Sequence, residues 1–283
     1  MTRNLSLCGA QPVTICLGLL CENSKKLVAV ADRMVSVEFL SLEFEQRTRK
    51  VEPLGKQVVA LTAGDALAHT ELLRKANCQI QRMSQPAISE IANLIESCFI
   101  EARQKLAENT ILRRAGLDYA TFLEEQRNLA TDLAFGLMSE YQKVELDLEL
   151  LILGVDGSGA HLYHIGDPGV TTCFDAIGYA AIGSGLPHAE SFLTEADYSP
   201  KITLNRAIWL CYVAKRRSER APGVGKATDV LVIDDKGSRF LNDGIIDNLR
   251  EMYECYLSEL RTVSENVEGS LRGLELTFEE EPQ

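Results

Sequence analysis

With 283 residues, 46% hydrophobic and 25% charged, the chain has the size and composition of a globular protein built as one large domain or two small ones. Its formal net charge of −12 argues against non-specific association with nucleic acid or anionic membrane, because a polyanion repels it at long range. Eight cysteines without a Cys-x-x-Cys pair, most of them among apolar neighbours, read as buried, reduced thiols of a cytoplasmic protein rather than as disulfides or zinc ligands.

Along the chain, the first dozen residues hold no sustained apolar stretch and so no secretory signal, and no later run reaches the roughly 18 apolar residues of a membrane span. Val13–Cys21 and Leu27–Arg33, short, apolar and β-branched, flank the polar turn Glu22–Lys26 and predict a hairpin. The hairpin brings Thr14, at the start of the first strand, to Asp32, at the end of the second. Ser36–Thr48 alternates irregularly and reads as a loop leading to Lys50, which stands before the turn Gly55-Lys56 and the strand Gln57–Thr62.

Helical patterns follow. Leu72, Ala76, Ile80 and Met83 share one face after Gly64-Asp65, and Pro86 opens a second helix with the stripe Ile88, Ile91, Ile95, Cys98, Ala102 and Leu106. In residues 110–144 Gly116 interrupts the helix, Thr121–Glu124 is a possible capping box, and Leu129, Leu133, Leu137 and Tyr141 continue at i+4 spacing. Leu148–Val155 and His161–Ile165 form a second hairpin, Ala176–Ile182 leads into Gly183-Ser184-Gly185, and residues 202–215 are helical, ending in Lys215-Arg216-Arg217, cations that complement a helix C-terminus. A third hairpin, Thr228–Ile233 with Ser238–Leu241, precedes a helix over 244–261 and an acidic, loose tail over 263–283. Helices grouped between antiparallel strands, with no Pro/Gly-rich linker, predict a layered α+β domain. The scattered histidines 69, 161, 164 and 188 suggest no metal site, and no Gly-x-x-x-x-Gly-Lys phosphate loop is present.

Thr14-x-x-x-Gly18, then Ala31-Asp32-Arg33, then Lys50-Val51-Glu52 with a strand ending Thr62-Ala63-Gly64-Asp65, resembles the N-terminal half of proteasome β-type subunits, bacterial homologues included. Gly183-Ser184-Gly185 with the helix opening at His188 resembles a second signature of that family. The resemblance implies an N-terminal-nucleophile (Ntn) hydrolase fold, a four-layer αββα sandwich with two stacked antiparallel sheets and helices outside, over residues 14–262. Residues 1–13 then become a propeptide and 110–144 a helical insertion. It also implies a threonine-type peptidase or amide hydrolase without cofactor, acting on peptide or protein substrates from a ring of copies of itself, with supply by an ATP-driven unfoldase left open.

Carried over residue by residue, Thr14 resembles the nucleophile, Asp32 the acid, Lys50 the lysine, Ser184 a supporting serine and Glu219 a second acid. Gly64 supplies the oxyanion-binding N–H, and Thr62 lines the pocket for the substrate side chain. The chemistry is coherent: a threonine hydroxyl needs a base, and a freed threonine α-amine, with a reference pKa of about 7.7–8.0, is a near-neutral base within reach. A neighbouring lysine lowers the pKa of both groups, and an aspartate holds that lysine in place. Thr14 is internal, so the Val13–Thr14 bond must be cut first. Val13 stands where the family has glycine, and a register shifted by one would put the unreactive Val13 at the nucleophile position. Two alternatives therefore stand beside the enzyme: a non-catalytic ring subunit, and an Ntn hydrolase of one small amide.

Overall fold

The computed structural model describes residues 14–37, 42–46, 49–64, 68–272 and 274; the N-terminal extension 1–13 lies outside them. The chain divides into two units, Met1–Leu241 and Asn242–Gln283.

In the first unit two five-stranded antiparallel sheets face each other. One has the order β10 (Tyr179–Ile182), β1 (Cys16–Cys21), β2 (Lys26–Asp32), β11 (Thr228–Asp234), β12 (Gly237–Phe240). The other has β5 (Val51–Pro53), β6 (Val58–Gly64), β7 (Leu148–Asp156), β8 (Gly159–Gly166), β9 (Val170–Cys173). Both central hairpins are apolar on each face because each sheet is covered twice, once by the other sheet and once by helices. Between the sheets, Cys16, Leu20, Ala29 and Leu231 pack against Leu61, Leu153 and Leu162. At Gly18 a Cβ would stand 2.8 Å from the Leu153 side chain and 2.9 Å from that of Leu162, so a larger residue would displace these leucines between the sheets.

On the far side of the second sheet lie α1 (Ala68–Ile80) and α2 (Ile88–Ala107), whose Leu72, Ala76, Ile91 and Ile95 bury Ala60, Leu150 and Ile152. On the far side of the first lie α5 (Leu186–Glu195) and α6 (Leu204–Ser218); α6 runs along β1 and β2, and the Cys211 thiol donates to the Val28 carbonyl at 3.6 Å. The layers are helix, sheet, sheet, helix, the expected αββα sandwich. Asp156, at the β7–β8 turn, ties the second sheet to its helices by accepting the Ile88 N–H at the start of α2, 3.0 Å.

Several local readings change. The stretch read as a loop from Ser36 contains β3 (Met34–Val37) and β4 (Leu42–Glu45), paired with Met34 opposite Glu45. These strands pair with each other and with neither large sheet, so their alternation is short and easily missed. In the helical excursion, α2 continues through a π turn (Glu108–Leu112) and a 3-10 turn (Arg113–Ala115) to Gly116, whose φ of 75° closes the run. The expected capping box at Thr121 is replaced by Asp118, whose carboxylate accepts the Thr121 N–H at 2.8 Å and starts α3 (Tyr119–Glu125). With α4 (Thr131–Gln142) this excursion builds its own small core from Ala107, Leu112, Phe122 and Tyr141. Of the described cysteines, Cys16, Cys21, Cys98 and Cys211 are buried as expected, whereas Cys78, Cys173 and Cys255 are exposed.

The second unit is one long helix, α7 (Asp243–Leu271), capped by Asn242, whose side chain accepts the Ile245 N–H at 2.9 Å. It runs past residue 261 into the segment read as a loose tail, because Val263, Val267 and Leu271 keep the i+4 apolar spacing.

Candidate active site

The site is assembled where the start of β1 meets the end of β2. Cys16 pairs with Ala31, and the Asp32 N–H donates to the Ile15 carbonyl at 3.1 Å, which sets Thr14 beside Asp32. The Thr14 hydroxyl donates to Asp32 Oδ1. Lys50 arrives from the other sheet, on the residue before β5, and its Nζ lies 2.5 Å from Thr14 Oγ1 and 3.0 Å from Asp32 Oδ1. Hydroxyl, carboxylate and ammonium thus form one closed triangle spanning both sheets.

Its burial decides how it is held. Asp32 is fully buried and the Lys50 side chain is 10% exposed, so each charge depends on the other and on the remaining hydrogen bonds. Asp32 Oδ2 accepts the Gly225 N–H at 2.7 Å, which satisfies the second carboxylate oxygen. Arg33 grips Asp229 on β11 with two bonds, 2.7 and 2.5 Å, and Arg49 adds a third at 3.2 Å while its guanidinium lies 3.9 Å over the Phe240 ring. These contacts fasten the residue next to Lys50 to the opposite sheet.

Gly183-Ser184-Gly185 cradles the Thr14 backbone from the end of β10. The Thr14 carbonyl accepts from the Gly185 N–H at 3.1 Å and from Ser184 Oγ at 3.5 Å; Ser184 Oγ also donates to the Pro222 carbonyl at 3.1 Å. Gly183 has φ +91°, and a Cβ on it would come within 2.5 Å of the Thr14 carbonyl oxygen, so only glycine fits. The end of β6 reaches the same place: the Cys16 thiol donates to the Thr62 carbonyl at 3.6 Å, two residues before Gly64. Thr62 itself is 4% exposed and lies on the strand face shared with Val58 and Ala60.

Glu219, the expected second acid, gives its carboxylate to Lys215, at 2.6 Å, and to Arg216, at 3.5 Å. Lys215 in turn is not a solvated helix-end cation. It is wholly buried and also donates to the Lys226 carbonyl at 2.9 Å. Burial pushes its amine below the ordinary lysine value, and the Glu219 carboxylate, with Asp32 further off, pulls it back. The sign of this reassignment was available in the pattern: Lys215 is four residues after the buried Cys211, on the apolar stripe of α6, with a glutamate at i+4.

Two more groups were not anticipated. The Cys16 thiol, fully buried and neighbouring Thr14, Asp32 and Lys50, is pushed up to about 12, chiefly by burial. Glu149, on β7, accepts the Gly183 N–H at 3.1 Å and faces His164 Nε2 at 3.4 Å. No local signal marked either residue, since one reads as a core thiol and the other as a strand carboxylate. Among the described residues no group of three or more His, Cys, Asp or Glu is arranged to hold a metal ion, and no helix is long and apolar enough to cross a membrane.

With the geometry in place, comparison with known proteins places the chain. It is 38% identical over 128 residues to proteasome subunit beta 1 of Korarchaeum cryptofilum, covering 44% of this chain and 60% of that one. Over that part the chain is similar to proteasome β-type subunits. Proteasome subunit beta 2 of Pyrobaculum neutrophilum is 39% identical over 92 residues, 32% of this chain and 43% of its own, and that of Pyrobaculum calidifontis is 37% identical over the same shares. The matched part therefore spans at most 60% of the length of these relatives. No family model matches the chain.

Proposed function

We propose that this chain is a threonine-type peptidase or amide hydrolase whose nucleophile is Thr14 Oγ1, released by hydrolysis of the Val13–Thr14 bond. The observation that supports it is the convergence of Lys50 Nζ on Thr14 Oγ1 and Asp32 Oδ1, at 2.5 and 3.0 Å, from the opposite sheet. In the reading, the freed α-amine takes the hydroxyl proton, and Oγ1 attacks the carbonyl carbon of a peptide or amide. Lys50, held by Asp32, favours the alkoxide and keeps the amine unprotonated. The Gly64 N–H receives the negative oxygen, a donor of a kind whose loss typically costs about 10²- to 10³-fold in kcat. The ammonium formed on Thr14 protonates the leaving amine, and water, deprotonated by the same amine, hydrolyses the acyl ester. Ser184 orients the Thr14 backbone, and Thr62 forms the floor of the pocket for the substrate side chain.

The proposal extends to peptide or protein substrates, a ring of copies of the chain and a cytoplasmic setting, with an unfoldase as a further partner. One observation favours a second reading, a non-catalytic ring subunit: the expected second acid, Glu219, is committed to Lys215 and Arg216. Intact-mass measurement of the purified protein with a fluorogenic peptide assay separates the two. A mature chain beginning at Thr14 that hydrolyses peptides is the expected result; an uncut chain without turnover supports the scaffold and removes the enzyme.

A further inference from the structure

α7 carries a repeat that the active site does not use. Leu249-Arg250-Glu251-Met252 returns as Leu260-Arg261-Thr262-Val263 and again as Leu271-Arg272-Gly273-Leu274, each spaced by 11 residues. Ile245, Tyr256 and Val267 keep the same spacing. An 11-residue period averages about 3.67 residues per turn, so these positions stay on one nearly straight line along a helix about 43 Å long. Leu249 is buried, but from Met252 onward the line is open to solvent: Met252, Leu260, Val263, Val267, Leu271 and Leu274 are 42–60% exposed.

The rest of the helix shows what can cover it. At about 100° per residue, the arginines 250, 261 and 272 and the acids Asp243, Glu254 and Glu265 fall on the side opposite the line. Of the charged side chains of α7, only Glu259 borders it; Asn248, Ser264, Asn266 and Ser270 are its other polar neighbours. An uncharged seam lets two copies of this acidic chain meet without placing like charges in direct contact. The acidic excess of α7, seven acids against two arginines, makes an anionic lipid surface a poor match. Side chains about half exposed along this length amount to a patch on the order of 600 Å² per helix, so a pair removes on the order of 1,200 Å², at the threshold of specific interfaces.

We propose that α7 is a pairing helix that joins two copies of this chain through the 11-residue apolar seam. It requires nothing of Thr14, so it stands whether or not the chain is an enzyme. The test uses the full-length protein in analytical ultracentrifugation. The wild type is expected at an even multiple of the chain mass, and Val263→Glu/Val267→Glu at half the wild-type mass, with its helical circular dichroism retained. Arg261→Ser, on the opposite side, is expected to leave the mass unchanged. Should the glutamates melt α7, Val263→Ala/Val267→Ala keeps helix propensity and is expected to raise the dissociation constant of the pair at least tenfold. A wild-type protein at single-chain mass overturns the proposal, including one that instead floats with phosphatidylglycerol vesicles. So does a mass identical in wild type and both seam variants.

Discussion

Among the described residues of the first unit, a hydroxyl, a nitrogen-bearing side chain and a carboxylate meet in hydrogen-bond contact both at Thr14 and at Ser158, and the two clusters are held differently. At the tip of the β7–β8 hairpin, Ser158 Oγ lies 2.8 Å from His161 Nε2, and His161 Nδ1 lies 2.7 Å from Asp175 Oδ2. By residue type this is the better-known constellation. Yet the Ser158 hydroxyl and N–H both go to Asp156 Oδ1, at 2.6 and 2.8 Å, and Asp175 Oδ1 accepts the Leu162 N–H at 2.8 Å. The Ser158 hydroxyl donates to a carboxylate as Thr14 does to Asp32, but here that bond is exposed and the cluster braces a turn. At Thr14 the three groups come from two sheets, the carboxylate is fully buried, and a glycine-lined cradle holds the Thr14 backbone. The lesson is that reactivity is argued from how groups are held and what they are kept from, beyond which groups they are.

The contrast is sharpest at the two hydroxyls. Thr14→Ala is expected to remove all measurable peptide hydrolysis, a loss of about 10³-fold or more, and to leave residues 1–13 attached by intact-mass measurement. Ser158→Ala is expected to leave turnover unchanged. If the two results exchange places, the assignment of the site is wrong.

Asp32→Asn tests the burial side of the contrast. With the carboxylate charge gone, Lys50 loses its partner in a largely dry setting, and the expected cost is about 3 kcal/mol in a urea melt, along with the loss of hydrolysis. Asp175→Asn, at the exposed hairpin, should cost less than about 1 kcal/mol.

A smaller effect follows from the thiols around the first site. Cys16 and Cys21 are each raised by burial from 9.0 to about 12. Above pH 9 the unfolded thiols release protons that the folded ones keep, so the folded state binds more protons and stability falls as pH rises from 9 towards 12. Cys16→Ala should make that fall shallower in thermal melts taken between pH 8 and about 10.5, whatever it does to the midpoint at neutral pH. An unchanged slope would mean that Cys16 is not protected as described. The smallest expected change is Ser158→Ala on stability, about 0.5–1 kcal/mol, from the loss of one exposed turn hydrogen bond.

Much of this was legible in the order of residues. Alternating short apolar runs and grouped amphipathic stripes predict layered sheets and helices, a hairpin joins Thr14 to Asp32, and the resemblance to proteasome β-type subunits added Lys50. What escaped was pairing that leaves no clear periodic or side-chain pattern. The β3–β4 hairpin, pairing only with itself, left a pattern too short to read. Gly225 meets Asp32 through a backbone N–H, which no side-chain motif encodes. Lys215 and Glu219 looked like a basic helix end and a family acid, and burial on α6 made them each other's counterion instead.

By itself, the chain determined its elements, their antiparallel order and the residue types of the site, because hydrophobic period and turn chemistry act over a few residues. The packing of one sheet on the other decided the rest: that Lys50 reaches Thr14 and that Asp32 is dry. Those facts rest on distances between residues far apart in sequence, which only a folded core sets.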